Sequence, residues 1–191
     1  MRTLLDCGAF TGDSVPTLIK GYGPFDRIVC FEANPNLEVR ADDCEIEVVR
    51  AAVWRTDGEM TFFFGDHDTQ SSVMENKVTG NFTEERSATV RCIDLAEWIV
   101  QNVGKDHDVV LKLDIEGAEF DVLERLLDHP ASFAKLEKVL VEWHDNRLRP
   151  RWRYLWRRRL SELRFWLKGR PIQLWSKRVV AKIRQAAPRA A

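Results

Sequence analysis

Four apolar runs, each ending on an ionisable side chain, constrain this chain most. Thr3-Leu4-Leu5 ends at Asp6, and Arg27-Ile28-Val29-Cys30-Phe31 ends at Glu32. Val109-Val110-Leu111-Lys112-Leu113 ends at Asp114, and Val139-Leu140-Val141-Glu142-Trp143 ends at His144. Short runs rich in β-branched residues read as strands buried on both faces. Helix signals separate them. Asp13-Ser14-Val15-Pro16 offers a capping residue and a proline for a first turn, and Gly21 and Gly23 end that helix near Lys20. Asp94 caps a helix expected over residues 95–103. From Glu119 to Leu127 the apolar residues Phe120, Leu123, Leu126 and Leu127 share one face. Strands alternating with helices predict a doubly wound α/β fold with a mostly parallel sheet. Further strands are expected at residues 45–53, 60–64, 88–93 and 172–175, and residues 65–87 read as a polar active-site loop.

Charge divides the chain in two. From Arg147 onward there are 15 Lys+Arg against a single acid, Glu162, which leaves 14 Lys+Arg and 29 Asp+Glu before it. The expected organisation is one catalytic domain over residues 1–146 and a basic, Trp/Arg-rich extension over 147–191, packed on the same domain. Within the extension, residues 151–168 carry Trp152, Trp156, Leu160, Leu163 and Leu167 at helical spacing, with arginines over much of the rest. The simplest expectation is that this stripe packs on the sheet while the arginines offset the acidic body. Residues 185–191 are expected to fray. Cys7, Cys30, Cys44 and Cys92 lack CxxC or Cys/His spacing, which argues for reduced thiols over zinc or disulfides.

The turn Asp6-x-Gly8-x-x-x-Gly12 between a strand and a helix is a ligand-loop signature. Glycine at 8 lets backbone approach a guest, and the helix behind it presents free N–H groups. The spacing is neither that of a dinucleotide loop nor of a phosphate loop, so an amino-acid moiety fits better than a diphosphate. Asp6 can then reach its ammonium through a bridging contact. Glu32 ends the next strand, 20 residues after Gly12, where a carboxylate accepts from ribose hydroxyls. Together these residues point to a nucleoside with an amino-acid arm.

Asp6-Cys-Gly-Ala-Phe-Thr-Gly12, Phe31-Glu-Ala-Asn-Pro35, Ala51-Ala-Val-Trp54, Lys112-Leu-Asp-Ile-Glu-Gly-Ala-Glu119 and Val141-Glu-Trp-His144 occur in that order. Over about residues 2–146 the chain resembles the FkbM-type methyltransferases, and the stretch at 113–119 is the most specific element. The resemblance implies a Rossmann-like class I methyltransferase that uses S-adenosylmethionine. It further implies O-methylation of a sugar, glycan, glycolipid or other hydroxyl-bearing acceptor. On the matched motifs it implies cofactor contacts from Asp6, Gly8, Ala9, Phe10 and Gly12, from Glu32, Ala33 and Asn34, and from Ala52 and Asp114.

Methyl transfer from an activated sulfonium leaves the protein to align the acceptor and take its proton. Asp114, Glu116 and His144 are the catalytic candidates, because two of them end strands on the edge where open α/β sheets bind ligands. His144 suits a general base, and Asp114 or Glu116 can serve instead or orient it. Ser71, Ser72 and Glu119 are candidate acceptor contacts; the simpler expectation is solvated loop hydroxyls and a solvated first-turn acid. A divalent metal is compatible with the carboxylates but not favoured, and its ligands are unassigned. His67, His107 and His129 read as isolated loop histidines. Through residues 147–184 the extension is suited to an anionic membrane surface or to nucleic acid. The competing function is therefore an RNA methyltransferase or a nucleic-acid-binding protein. The expected location is cytoplasmic, or peripheral at the inner membrane face.

Overall fold

A computed structural model describes residues 1–42, 44–67 and 70–186. Nine strands and six helices of the described residues are β1 (Arg2–Cys7), α1 (Val15–Tyr22), β2 (Arg27–Phe31), β3 (Glu47–Val49), β4 (Ala52–Trp54), β5 (Gly58–Phe63), β6 (Ser87–Asp94), α2 (Leu95–Asn102), β7 (Asp108–Leu113), α3 (Glu119–Leu127), α4 (Pro130–Lys135), β8 (Leu136–Val141), α5 (Arg151–Leu167), β9 (Ile172–Leu174) and α6 (Lys177–Gln185). Six strands form one sheet in the order β3-β2-β1-β7-β8-β9, and every neighbouring pair is parallel. This is the Rossmann-like α/β architecture expected from the alternating strands and helices. Because the strands run one way, Asp6, Glu32, Asp114 and His144 come to the same edge.

The helices lie on both faces. α2 and α3 bury Ile99, Phe120, Leu123 and Leu126 with Leu5, Leu111 and Val139 in the larger core. α1 covers the opposite face, where Val15 and Leu18 meet Leu4, Val110 and Leu140. Cys7, Cys30 and Cys92 are buried thiols. Burial pushes the Cys7 and Cys30 thiols up, which keeps them protonated and inert.

Several element expectations need correction. The single strand expected over residues 45–53 is two short ones. The chain leaves the large sheet after Val49, turns through Ala51, and enters a second sheet ordered β4-β6-β5. No glycine or proline marks that turn, because burial of Ala51 at 2% exposure sets it. The strand expected at 139–144 is displaced upstream to Leu136–Val141, preceded by the unforeseen α4. His144 therefore stands in the loop beyond the strand. His129 is not isolated: it caps α4 through Ser132 and lies 3.0 Å from Glu97. Asp94 caps α2 as expected, accepting from the N–H groups of Ala96 and Glu97. Of the fraying expected at 185–191, residues 187–191 lie outside the described residues, as do Asp68 and Thr69 of the polar loop.

The largest correction concerns α5. Its buried residues are Tyr154, Ser161 and Phe165, whereas Trp152 and Trp156 are 67% and 72% exposed. The Trp/Leu stripe faces water, not the sheet. α3 explains this, because its outward side carries Asp121 and Glu124, and Asp128 follows at its C-terminal end. Arg157 pairs with Asp121 at 3.0 Å and with Glu124 at 2.8 Å, and Arg164 pairs with Asp128 at 2.9 Å. The arginine side docks on acids, and the apolar side is left outward. β9 then adds to the sheet beside β8, and α6 settles against α1, where Arg184 donates to Thr17 at 3.0 Å.

Candidate active site

The register of β1 on β7 sets Asp6 beside Lys112. The Lys112 ammonium lies 2.9 Å from Asp6 and 3.5 Å from Asp114, and it donates to the Gly8 carbonyl at 2.8 Å. Burial alone would lower this ammonium's pKa, but the Asp6 and Asp114 carboxylates outweigh burial and hold it above the usual lysine range. Ser14, at the cap position of α1, makes no side-chain cap and donates its hydroxyl to Asp6. Asp6 is fully buried and engaged by protein donors. It braces the loop from behind and is not among the residues that line the cavity, so any contact with a ligand there would be the bridged kind.

The two loop glycines have distinct steric reasons. Gly8 takes φ 77°, and a Cβ there would lie 1.9 Å from the Asp114 carbonyl oxygen. Gly12 takes φ 91°, with the Arg40 carbonyl 2.1 Å from the same kind of probe atom. Between them Phe10 also adopts positive φ and turns its N–H onto Glu32 at 2.8 Å. The other Glu32 oxygen accepts from the Asn34 N–H at 2.8 Å. Burial raises the Glu32 pKa, and the two N–H donors pull it partly back. Each oxygen keeps a lone pair for a further donor. Gly8, Phe10, Glu32, Ala33, Ala52 and Asp114 line one cavity of about 850 Å³, while Ala9, Gly12 and Asn34 stand behind its wall.

The second half of the cavity is acidic. Beyond β7 the chain bends through Glu116, at φ 54°, and Gly117, at φ 117°, before α3 begins. Glu119 is fully buried, so the expected solvated first-turn acid is wrong. Its carboxylate accepts from the N–H groups of Ile115 and Gly117 and holds His144 Nδ1 at 2.8 Å. It lies behind the cavity wall and acts on the site through the histidine. His144 Nε2 has no hydrogen-bond partner and lies 3.4 Å from Glu116 and 3.8 Å from Asp114. Burial lowers the pKa of this imidazole, yet Glu119, Glu116 and Asp114 together lift it to about 9. One oxygen or nitrogen from each of Asp114, Glu116 and His144 lies within 4.8 Å of the others, close enough to share a small cation. Glu116 is already met by Lys77 at 2.8 Å and by Arg147 at 2.7 Å. These protein cations offset the acids that a metal would otherwise neutralise.

Ser71 and Ser72 are buried in the cavity wall, not solvated as the simpler expectation had it. Ser72 donates to the Glu116 carbonyl at 2.9 Å and accepts from the Met74 N–H, so it fixes the loop against β7. Ser71 accepts from the Gly65 N–H at 3.2 Å. Four site residues escaped sequence reasoning. Lys112 read only as a stem-burying strand residue, and Arg147 as the first of the basic tail. Lys77 lay in a loop without a motif, and Glu142 passed as strand filler. Glu142 lines the cavity, where burial and Asp114 raise its pKa. Trp175, with Lys177 and Arg184 from α6, closes the far wall. Their only sequence signal was Ser176 before a basic amphipathic run; its hydroxyl does cap α6.

The profile of the Methyltransferase FkbM domain matches residues 6–169, so the match runs from the Asp6 loop through α5. Searches of curated proteins and of solved structures each found no significant match. With most of its length covered, including both halves of the cavity, the chain belongs to the FkbM methyltransferase family.

Proposed function

We propose that the protein is an S-adenosylmethionine-dependent O-methyltransferase acting on a hydroxyl of a sugar, glycan or glycolipid. The observation that carries this is the continuity of the cavity, which joins the glycine loop and Glu32 to Asp114, Glu116 and the two serines. The wall chemistry suits the cofactor. Gly8 admits backbone approach, Glu32 has acceptor capacity for ribose hydroxyls, and Leu37, Ala51, Ala52 and Val53 offer an apolar slot for a purine. When bound, S-adenosylmethionine supplies an electrophilic methyl group.

The remaining task is the acceptor's proton. Glu119 anchors His144 Nδ1, so Nε2 is the atom free to exchange a proton; His144 is itself buried behind the cavity wall, and that exchange reaches the cavity by way of Asp114 or Glu116. At neutral pH the imidazole is charged, and the fraction able to accept a proton grows as pH approaches about 9. Asp114, more exposed than His144, stands between Nε2 and the cavity and positions the hydroxyl. Ser71, Ser72 and Arg147 border the acceptor side and offer hydroxyl and guanidinium partners for sugar oxygens.

Two measurements test this. Calorimetry is expected to show S-adenosylmethionine binding that Glu32→Ala weakens by tenfold or more, about 1.4 kcal/mol. Incubation with labelled cofactor and separate glycan, lipid and RNA fractions is expected to place label on glycan or glycolipid hydroxyls. Label confined to RNA would overturn the acceptor assignment and establish the competing RNA methyltransferase.

A further inference from the structure

The side of α5 turned away from the fold is apolar. Trp152, Trp156 and Trp166 are 67%, 72% and 64% exposed, and Leu160, Leu163 and Leu167 are 54%, 50% and 67% exposed. At about 100° per residue these six side chains fall within one arc of roughly 120°. The arc is centred opposite the buried Tyr154, Ser161 and Phe165. Such a continuous surface of large apolar side chains marks an interaction site, because monomers seldom leave one in water.

Charge identifies what covers it. The arginines on the inward flank of α5 are spent on the protein's own acids: Arg157 on Asp121 and Glu124, Arg158 on Asp145, and Arg164 on Asp128. Those beside the apolar arc, and Arg159 within it between Trp166 and Trp152, differ. Arg151 and Arg153 are exposed and form no ion pair among the described residues, and the Arg159 side chain is 75% exposed. The only acid on α5 is Glu162, already shared by Arg158 and Arg159. A second copy of the chain would set one arginine fringe against another. An anionic lipid surface satisfies both features, since tryptophan and leucine enter the headgroup boundary while arginines meet the phosphates. No helix among the described residues is long and apolar enough to cross a membrane, so α5 would lie along the surface.

We propose that α5 is an interfacial helix that docks the protein on an anionic membrane through its Trp/Leu face, with Arg151, Arg153 and Arg159 at the headgroups. α5 starts four residues after Arg147, which borders the cavity. The docking itself does not depend on which acceptor is methylated.

The test uses the full chain and vesicle flotation. Vesicles of equal parts phosphatidylcholine and phosphatidylglycerol are expected to carry the protein upward, with tryptophan emission shifted to the blue. Phosphatidylcholine alone is expected to bind less, and high salt is expected to weaken the mixed-vesicle binding. Trp152→Ser with Trp156→Ser is expected to reduce vesicle binding by roughly tenfold or more. Both side chains are solvent-facing, so circular dichroism and S-adenosylmethionine binding of this variant are expected to match the wild type. Absence of wild-type flotation would overturn the proposal, as would equal binding by the double variant. A dimer in analytical ultracentrifugation that the same substitutions disperse would assign the face to a second copy. Retention of RNA that the same substitutions abolish, without vesicle binding, would assign it to nucleic acid.

Discussion

His144 meets three carboxylates, and its charge state follows from their arrangement. Its imidazole has a pKa of about 9 in the fold against an ordinary 6.5. A raised pKa adds stability that is complete below pH 6.5 and is lost as pH rises through about 9. Thermal midpoints of the wild type are therefore expected to decline across that window, and those of His144→Gln to decline less. Replacing the buried Glu119 by Gln removes the anion at 2.8 Å from Nδ1. The inflection of the pH–rate profile is then expected to move to lower pH, while S-adenosylmethionine affinity is retained. Gly8 allows a different test. Gly8→Ala forces a Cβ to within 1.9 Å of the Asp114 carbonyl, in a backbone region that side chains avoid. The expected cost is about 2–4 kcal/mol, read from denaturant midpoints. Gly8, Glu32 and Asp114 were legible because they open a turn or directly follow a strand, whereas His144 was singled out as a strand end and stands in the loop beyond β8. The burial of Glu119 was not legible, since a first-turn acid looks the same in sequence whether it faces water or a histidine. Lys112 acquires its role only from the register that pairs it with Asp6.

The elements read well wherever the apolar pattern was clear. β1, β2, β7, α2 and α3 are of this kind. α5 shows how that logic fails. Its apolar stripe has the spacing of a packed face, but packing is decided by what the neighbouring element presents, and α3 presents acids. Sequence gives a helix its stripe without giving the side it docks by. The arginine contacts can be measured. Arg157 reaches Glu124 through two nitrogens at 2.8 Å and also meets Asp121, and its side chain is only 16% exposed. Arg157→Met leaves Glu124 without its partner and Asp121 with only Arg55 at 3.8 Å, and chemical denaturation is expected to show a loss of about 1–3 kcal/mol. Arg159→Ala, at an exposed position, is expected to leave stability unchanged.

For the molecule as a whole, the charge division at Arg147 does not separate two folding units. Tyr154, Phe165 and Trp175 are core residues, and β9 completes the sheet beside β8. A chain ending at Asn146 would uncover Phe120 and Leu140 and leave β8 as a bare edge. Such a truncation is expected to lose its near-ultraviolet circular dichroism, which the full chain is expected to keep. The sequence-level charge count was correct, but its meaning lay in ion pairs between segments far apart in the chain.

The Lys112 contact also bears on how the protein is made. Its ammonium neutralises Asp6 and holds the Gly8 carbonyl across a separation of 104 residues. A chain emerging from the ribosome at roughly 5–20 residues per second spends several seconds with the first strand and its loop already outside but their counter-ion still unsynthesised. During that interval β1 has β2 to pair with but lacks its other neighbour, and Asp6 is an acid with no place to be buried. The loop is thus complete only once β7 has emerged, and capture of the proposed cofactor becomes a late event that follows completion of the central sheet.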